Sequence, residues 1–242
     1  GFDITAKAGM LVSLDTGEIL YQNNIDKKVY PASITKIMTA LLMIESDKWN
    51  PDAKVTITKD ILDMVLGTGL AVSLLEEGEE FTQLDMLYMV LVSSYGDVTY
   101  LAAEIFGGSV DNFVDMMNKK ADELGLKGTH YSNPVGLHEE ETYTTVRDIY
   151  TLTKYALQYD IFKTVTSKDR YKVQTTKGTT RTLSTTNFLL DRTTNYYYKP
   201  AGGVKTGYTE AAGRCLVSTA SLNGYNYMCI LMNCPNNLNK RH

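Results

Sequence analysis

Pro31-Ala32-Ser33-Ile34-Thr35-Lys36-Ile37-Met38-Thr39-Ala40-Leu41-Leu42 is the stretch around which the rest of the chain arranges itself. Proline is excluded from a helix interior but tolerated at its start, so Ser33 falls in a first turn. Ile34, Ile37, Met38, Leu41 and Leu42 recur at helical spacing, and residues 33–45 therefore read as a helix. Lys36 stands one turn along from Ser33 on the same face. A serine hydroxyl is a weak nucleophile until a base takes its proton. A lysine can be that base when desolvation or neighbouring cations lower its pKa. Free backbone N–H groups at a helix start can also hold an oxyanion. Taken alone, this spacing is more often a capping serine followed by a solvent lysine.

Outward from this helix, both ends of the chain read as strands. Gly9-Met10-Leu11-Val12-Ser13-Leu14, the turn Asp15-Thr16-Gly17 and Glu18-Ile19-Leu20-Tyr21 form a hairpin pattern. Residues 213–221 and 225–233 flank Asn223-Gly224, a favoured two-residue turn. The middle is largely helical. Thr82-x-x-Asp85 is a capping box opening a helix over 84–92, and 98–106 forms another. Ser109 caps a helix with Phe113, Met116, Met117 and Leu124 inward, stopped by Gly125. Thr145-x-x-Asp148 opens one running to about Tyr159, and residues 163–199 read as strands and loops. The expected fold class is α+β: an antiparallel sheet of N- and C-terminal strands, an inserted mostly helical lobe, and a cleft where the two meet. One domain is expected over 1–242, with a sheet subdomain at about 1–50 and 150–242 and a helical lobe at about 51–149. No second C-terminal domain is expected within this chain.

Of 242 residues, 43% are hydrophobic and 21% charged, as in globular proteins. A net charge of −4 speaks against a nucleic-acid partner. No apolar run reaches the roughly 18 residues of a membrane span. No signal peptide opens the chain, and Gly1 in place of methionine reads as a processed or trimmed start. In a two-residue hairpin Cys229 would lie opposite Ser218 and Cys215 opposite Met232, with the thiols on opposite faces, so no disulfide is expected. His130, His138 and His242 form no metal-binding cluster with the cysteines, and no cofactor is called for.

A second motif, Lys205-Thr206-Gly207, follows Gly202-Gly203-Val204 and is expected just ahead of a strand near the chain's end. On an edge strand the glycine would let a ligand backbone approach, while the lysine offers charge and the threonine a hydroxyl for a carboxylate. Between the two motifs lies Val92-Ser93-Ser94-Tyr95-Gly96-Asp97, at the end of a helix. An SxxK, an SxN-like element and a KTG in that order form the signature of penicillin-binding proteins and class A β-lactamases.

The chain resembles the D-alanyl-D-alanine carboxypeptidase family of low-molecular-mass penicillin-binding proteins. The residues that carry the resemblance are residues 31–40, Gly203-Val204-Lys205-Thr206-Gly207-Tyr208-Thr209, Ser132-Asn133-Pro134-Val135-Gly136-Leu137 with residues 118–126, and Thr145-Val146-Arg147-Asp148. The resemblance implies a β-lactamase/transpeptidase-like fold and a peptidoglycan stem peptide ending in D-Ala-D-Ala as substrate. Ser33 would be the nucleophile and Lys36 its base. Ser94 would relay a proton to the leaving amine, and Lys205 would sustain the electrostatics. Thr206 would hold the terminal carboxylate, with Gly207, Tyr208, Tyr95 and Gly96 also against the substrate. The oxyanion would face the N–H groups of Ser33 and Tyr208. β-Lactam antibiotics would acylate Ser33. The resemblance also implies action outside the cytoplasmic membrane, a signal peptide ahead of residue 1, and membrane contact only through segments absent here.

The chain departs from the family pattern at Gly96, where the pattern has asparagine. A lost amide contact of that kind is worth on the order of 1–3 kcal/mol, or ten- to a hundredfold in rate. An active enzyme with altered substrate handling is the reading adopted. The alternatives are a catalytically impaired penicillin- or peptidoglycan-binding domain, and a register shift in this loop. A β-lactamase would need a base for deacylation, and Glu139-Glu140-Glu141 reads instead as a solvated loop.

Overall fold

The computed structural model describes residues 4–178 and 180–235. Asp15-Thr16-Gly17 turns the chain between β1 (Ala8–Ser13) and β2 (Ile19–Asn23), with Gly17 at φ 75°. A 3₁₀ turn, Ala32–Thr35, then leads into α1 (Lys36–Glu45). Next come β3 (Lys54–Thr56), α2 (Lys59–Met64), β4 (Glu80–Thr82), α3 (Gln83–Leu91), α4 (Gly96–Gly107) and α5 (Val110–Glu123). The chain continues through α6 (Val146–Ala156), α7 (Asp160–Thr166), β5 (Arg170–Gln174) and β6 (Thr180–Ser184). It closes with β7 (Ala201–Thr209), β8 (Gly213–Leu222) and β9 (Tyr225–Cys234).

The main sheet has the order β2-β1-β9-β8-β7 and is antiparallel at every pairing. The first and last parts of the chain are thus laid side by side, with β1 against β9, as the α+β reading expects. The middle is less purely helical than its sequence suggests, because β3 and β4 pair as a small ribbon. A second ribbon, β5 with β6, bonds to the helical side: Thr176 N–H donates to Glu80 O, and Tyr171 stacks on Tyr88 with ring centres 3.6 Å apart.

The caps form as their sequences predict. Thr82 and Asp85 make a reciprocal capping box, and Ser109 and Thr145 accept the N–H groups of Asn112 and Asp148. Helix α1 is buried from Lys36 to Met43, in keeping with a segment apolar on most faces, and packs among the helices of the middle of the chain. On α5, Phe113 and Met117 are buried, while Met116 and Leu124 are half-buried against the same core.

Asn223 and Gly224 both take positive φ, 53° and 83°, the geometry of the expected hairpin turn. Ser218 pairs with Cys229 as that turn requires. The expected pairing of Cys215 with Met232 does not occur. The register slips between Arg214 (opposite Cys234) and Leu216 (opposite Leu231), leaving an extra residue on β9. Asn233, at φ 55°, takes up the bulge. A two-residue turn dictates register only until a bulge intervenes. Cys215, Cys229 and Cys234 are free thiols. His242 lies outside the described residues.

Candidate active site

Ser33 sits on the 3₁₀ turn ahead of α1, half-buried, next to Ala32 at φ 48°. A left-handed backbone at a non-glycine residue is unfavourable by roughly 1–3 kcal/mol and persists only where packing enforces it. The enforcing partner is the 133–137 loop. Asn133 Oδ1 accepts the N–H groups of Val135 (3.3 Å), Gly136 (2.8 Å) and Leu137 (3.0 Å), curling the loop tightly. Gly136, at φ +85°, then lies so close that a Cβ there would stand 1.9 Å from Ala32 O. Glu139 accepts a hydrogen bond from Asn133 Nδ2 at 2.8 Å, so the first residue of the acidic run braces this loop.

The same loop delivers a carbonyl to Lys36. Lys36 is fully buried; its Nζ lies 3.1 Å from Ser33 Oγ and donates to Val135 O at 2.7 Å. Burial, and then the repulsion of Lys205, hold the Lys36 pKa well below the usual lysine value. Lys205 is buried too, and burial pushes its pKa down to about 7. A neutral Lys36 amine that donates to Val135 can accept the Ser33 proton across 3.1 Å.

Lys205-Thr206-Gly207 lies within β7, not ahead of a strand, and β7 is the outer strand of the sheet. The edge position expected for the motif therefore holds, while its place relative to the strand is corrected. Strand propensity is low for Gly202-Gly203 and Gly207, and pairing with β8 overrides it. Gly207 faces the nucleophile's turn: a Cβ there would be 3.0 Å from Ser33 N and 3.1 Å from Pro31 O. Lys205 Nζ donates to Thr206 O at 3.1 Å, and Thr206 Oγ1 to Thr186 Oγ1. Tyr208 is about half exposed, with the Arg214 guanidinium 5.5 Å from its ring centre.

Ser94 occupies the turn between α3 and α4 at φ 62°, and its buried Oγ has no hydrogen-bond partner. Buried hydroxyls without partners are uncommon and mark strained or reactive places. The turn is held by Tyr95 N–H to Met89 O (3.1 Å), Ser93 Oγ–H to Ser184 O (3.2 Å) and Thr186 N–H to Val92 O (3.3 Å).

Ser33, Ser94, Thr206, Gly207 and Tyr208 line one cleft of about 800 Å³, with Lys36 and Lys205 buried beside it. Tyr95 and Gly96 do not line it: Tyr95 packs against the core and Gly96 is buried. Ala71, Thr186, Asn187 and Phe188 line the cleft without having been singled out from sequence. Nothing in their local sequence marks them, because distant segments bring them there. Along the sequence Val135 is one residue of a motif, and its carbonyl's part in holding Lys36 appears only in three dimensions.

Comparison with known proteins identifies the family. Residues 2–236 match the D-alanyl-D-alanine carboxypeptidase family, peptidase family S11. D-alanyl-D-alanine carboxypeptidase DacF of Bacillus subtilis is 38% identical over 220 residues, covering 89% of this chain and 54% of that protein. The chain thus spans about half the length of that relative. A D-alanyl-D-alanine carboxypeptidase of Streptomyces sp. strain K15 is 33% identical over 232 residues, covering 91% of this chain and 78% of the relative. The crystal structure of the Streptomyces K15 DD-transpeptidase superposes with a TM-score of 0.90 at 30% identity, covering 97% of this chain and 92% of that one. Penicillin-binding protein D2 of Listeria monocytogenes, in an ampicillin-bound form, gives 0.81 at 27% identity over 98% and 92%. With the family model matching residues 2–236 and relatives 38% and 33% identical over 89% and 91% of its length, the chain belongs to the D-alanyl-D-alanine carboxypeptidase family.

Proposed function

We propose that this chain cleaves the terminal D-alanine from peptidoglycan stem peptides through an acyl-enzyme on Ser33, and that β-lactams acylate the same oxygen. The observation that carries the reading is the buried Lys36 amine, 3.1 Å from the Ser33 hydroxyl, with its pKa held well below the usual lysine value by burial and then by Lys205. Ser33 Oγ attacks the carbonyl of the penultimate D-alanine while Lys36 takes its proton. The tetrahedral oxygen faces the N–H groups of Ser33 and Tyr208. Ser94 passes a proton to the departing amine. Thr206, with Gly207 beside it, receives the terminal carboxylate, and Lys205 supplies positive field. Water then attacks the ester and restores Ser33. No metal or organic cofactor takes part in these steps.

Glu139 braces the 133–137 loop, so it does not support a β-lactamase's deacylating base. No described helix is long and apolar enough to cross a membrane. Stem peptides lie outside the cytoplasmic membrane, and we place the chain's action there.

Incubation with benzylpenicillin should add one penicilloyl mass to the intact protein, and Ser33→Ala should abolish it. D-Alanine should be released from an N-acetylated L-Lys-D-Ala-D-Ala tripeptide. No adduct on the unmodified protein would sink the acyl-enzyme reading. An adduct without D-alanine release would favour a penicillin- and peptidoglycan-binding protein with impaired turnover, the reading that Gly96 motivates.

A further inference from the structure

The space that an asparagine side chain would need at position 96 is already filled. A Cβ on Gly96 would meet Leu70 Cδ1 at 2.7 Å and Leu70 Cβ at 2.9 Å. The second contact is the more telling, since Leu70 Cβ moves only with its backbone. Leu70 opens a short strap, residues 70–73, that crosses over the start of α4. The strap is tied down at both ends. Gly96 N–H donates to Ala71 O at 2.7 Å. The fully buried Asp97 accepts from Ser73 N (3.1 and 3.0 Å to its two oxygens) and from Ser73 Oγ, while its Oδ1 also takes Val98 N–H at 2.9 Å. A buried carboxylate satisfied by several donors holds such partners firmly. At the first of these ties Ala71 is exposed and lines the cleft that contains Ser33 and Ser94.

We propose that Leu70 and Asp97 are positioning residues. The strap they hold stands in for the motif asparagine on the helical side of the cleft, and Ala71 on it sets how closely the acyl part of a stem peptide is held. The proposal rests on the acyl-transfer reading above. It makes Gly96 a requirement of the strap, since only glycine leaves room for Leu70, and not a lost function.

The test uses the whole chain, the N-acetylated L-Lys-D-Ala-D-Ala tripeptide and benzylpenicillin. Leu70→Ala and Asp97→Asn should each raise KM for the tripeptide about fivefold or more and leave kcat within about twofold, a loss of binding shared by ground and transition states. A merely structural role would lower Tm and leave KM of the folded molecules unchanged. Gly96→Asn should push the strap off its seat and slow acylation by benzylpenicillin about tenfold or more. Adding Leu70→Ala to it should restore the rate to within about threefold, because the two positions share one space. Unchanged KM in both Leu70→Ala and Asp97→Asn would overturn the proposal. So would a Gly96→Asn protein that acylates like the unmodified one, or a double variant with no recovery. If Gly96→Asn does not fold, the two KM measurements decide. Failure of the unmodified protein to be acylated would overturn the acyl-transfer reading and this proposal with it. Normal acylation with indifferent variants would overturn the strap alone.

Discussion

Replacing Lys205 with methionine should make the protein more stable and far less reactive, and the stability gain should depend on pH. Lys205 is buried, and burial takes its pKa from an ordinary 10.5 down to about 7. That gap corresponds to about 5 kcal/mol against the ammonium in the folded state. Methionine has no charge to bury and similar reach. It forfeits the hydrogen bond from Nζ to Thr206 O, worth about 1 kcal/mol. The expected gain at about pH 6, where folded and unfolded Lys205 are both charged, is therefore about 4 kcal/mol. Above about pH 7 the folded lysine loses its proton while the unfolded one keeps it. The unfolded state then binds more protons, so the unmodified protein gains about 1.4 kcal/mol per pH unit, or about 3 kcal/mol by about pH 9. The variant lacks this slope, and its advantage should shrink to about 1 kcal/mol there. Removing Lys205 also relieves the repulsion on Lys36, which flattens the variant's pH dependence further. Urea unfolding followed by circular dichroism at the two pH values measures both differences. Acylation by benzylpenicillin, measured alongside, should fall about a hundredfold or more, roughly 2.7 kcal/mol in the barrier. An equal advantage at both pH values, or a variant less stable near pH 6, would refute the claim that burial depresses the Lys205 pKa.

Two further expectations follow from the site. Lys36 must be neutral to take the Ser33 proton, and its pKa is depressed, so the acylation rate should fall as acidification protonates the amine; stopped-flow acylation against pH shows this, and a rate that rises on acidification would contradict it. Gly136→Ala puts a Cβ 1.9 Å from Ala32 O at a φ of +85°, which should destabilise the fold by about 2–4 kcal/mol and slow acylation by disturbing the turn under Ser33; thermal melts and penicillin binding report each effect.

Much of the fold is local and therefore legible in the sequence. Capping boxes at Thr82 and caps at Ser109 and Thr145 depend on residues three apart, and Asn223-Gly224 carries its own turn geometry. The spacing of Ser33 and Lys36 is a helical repeat, so their approach to 3.1 Å needs nothing beyond the turn itself. What sequence could not supply was the bulge at Asn233, which moves Cys215 out of its simple register, and the strand identity of a glycine-rich KTG segment. Both are decided by pairing with neighbours rather than by propensity.

By itself, the sequence determined the order of motifs, the helical stretch that follows Pro31 and the strands at each end that make the fold α+β. The tertiary structure decided what those groups can do. Lys36 suits the proposed base because Val135, 99 residues along the chain, receives its hydrogen bond, and because burial and then Lys205 push its pKa well below the usual lysine value. Gly96 reads as a missing asparagine in one dimension. In three it is the seat of Leu70, 26 positions earlier. Desolvation, repulsion and occupied volume belong to neighbours in space, and no spacing along the chain encodes them.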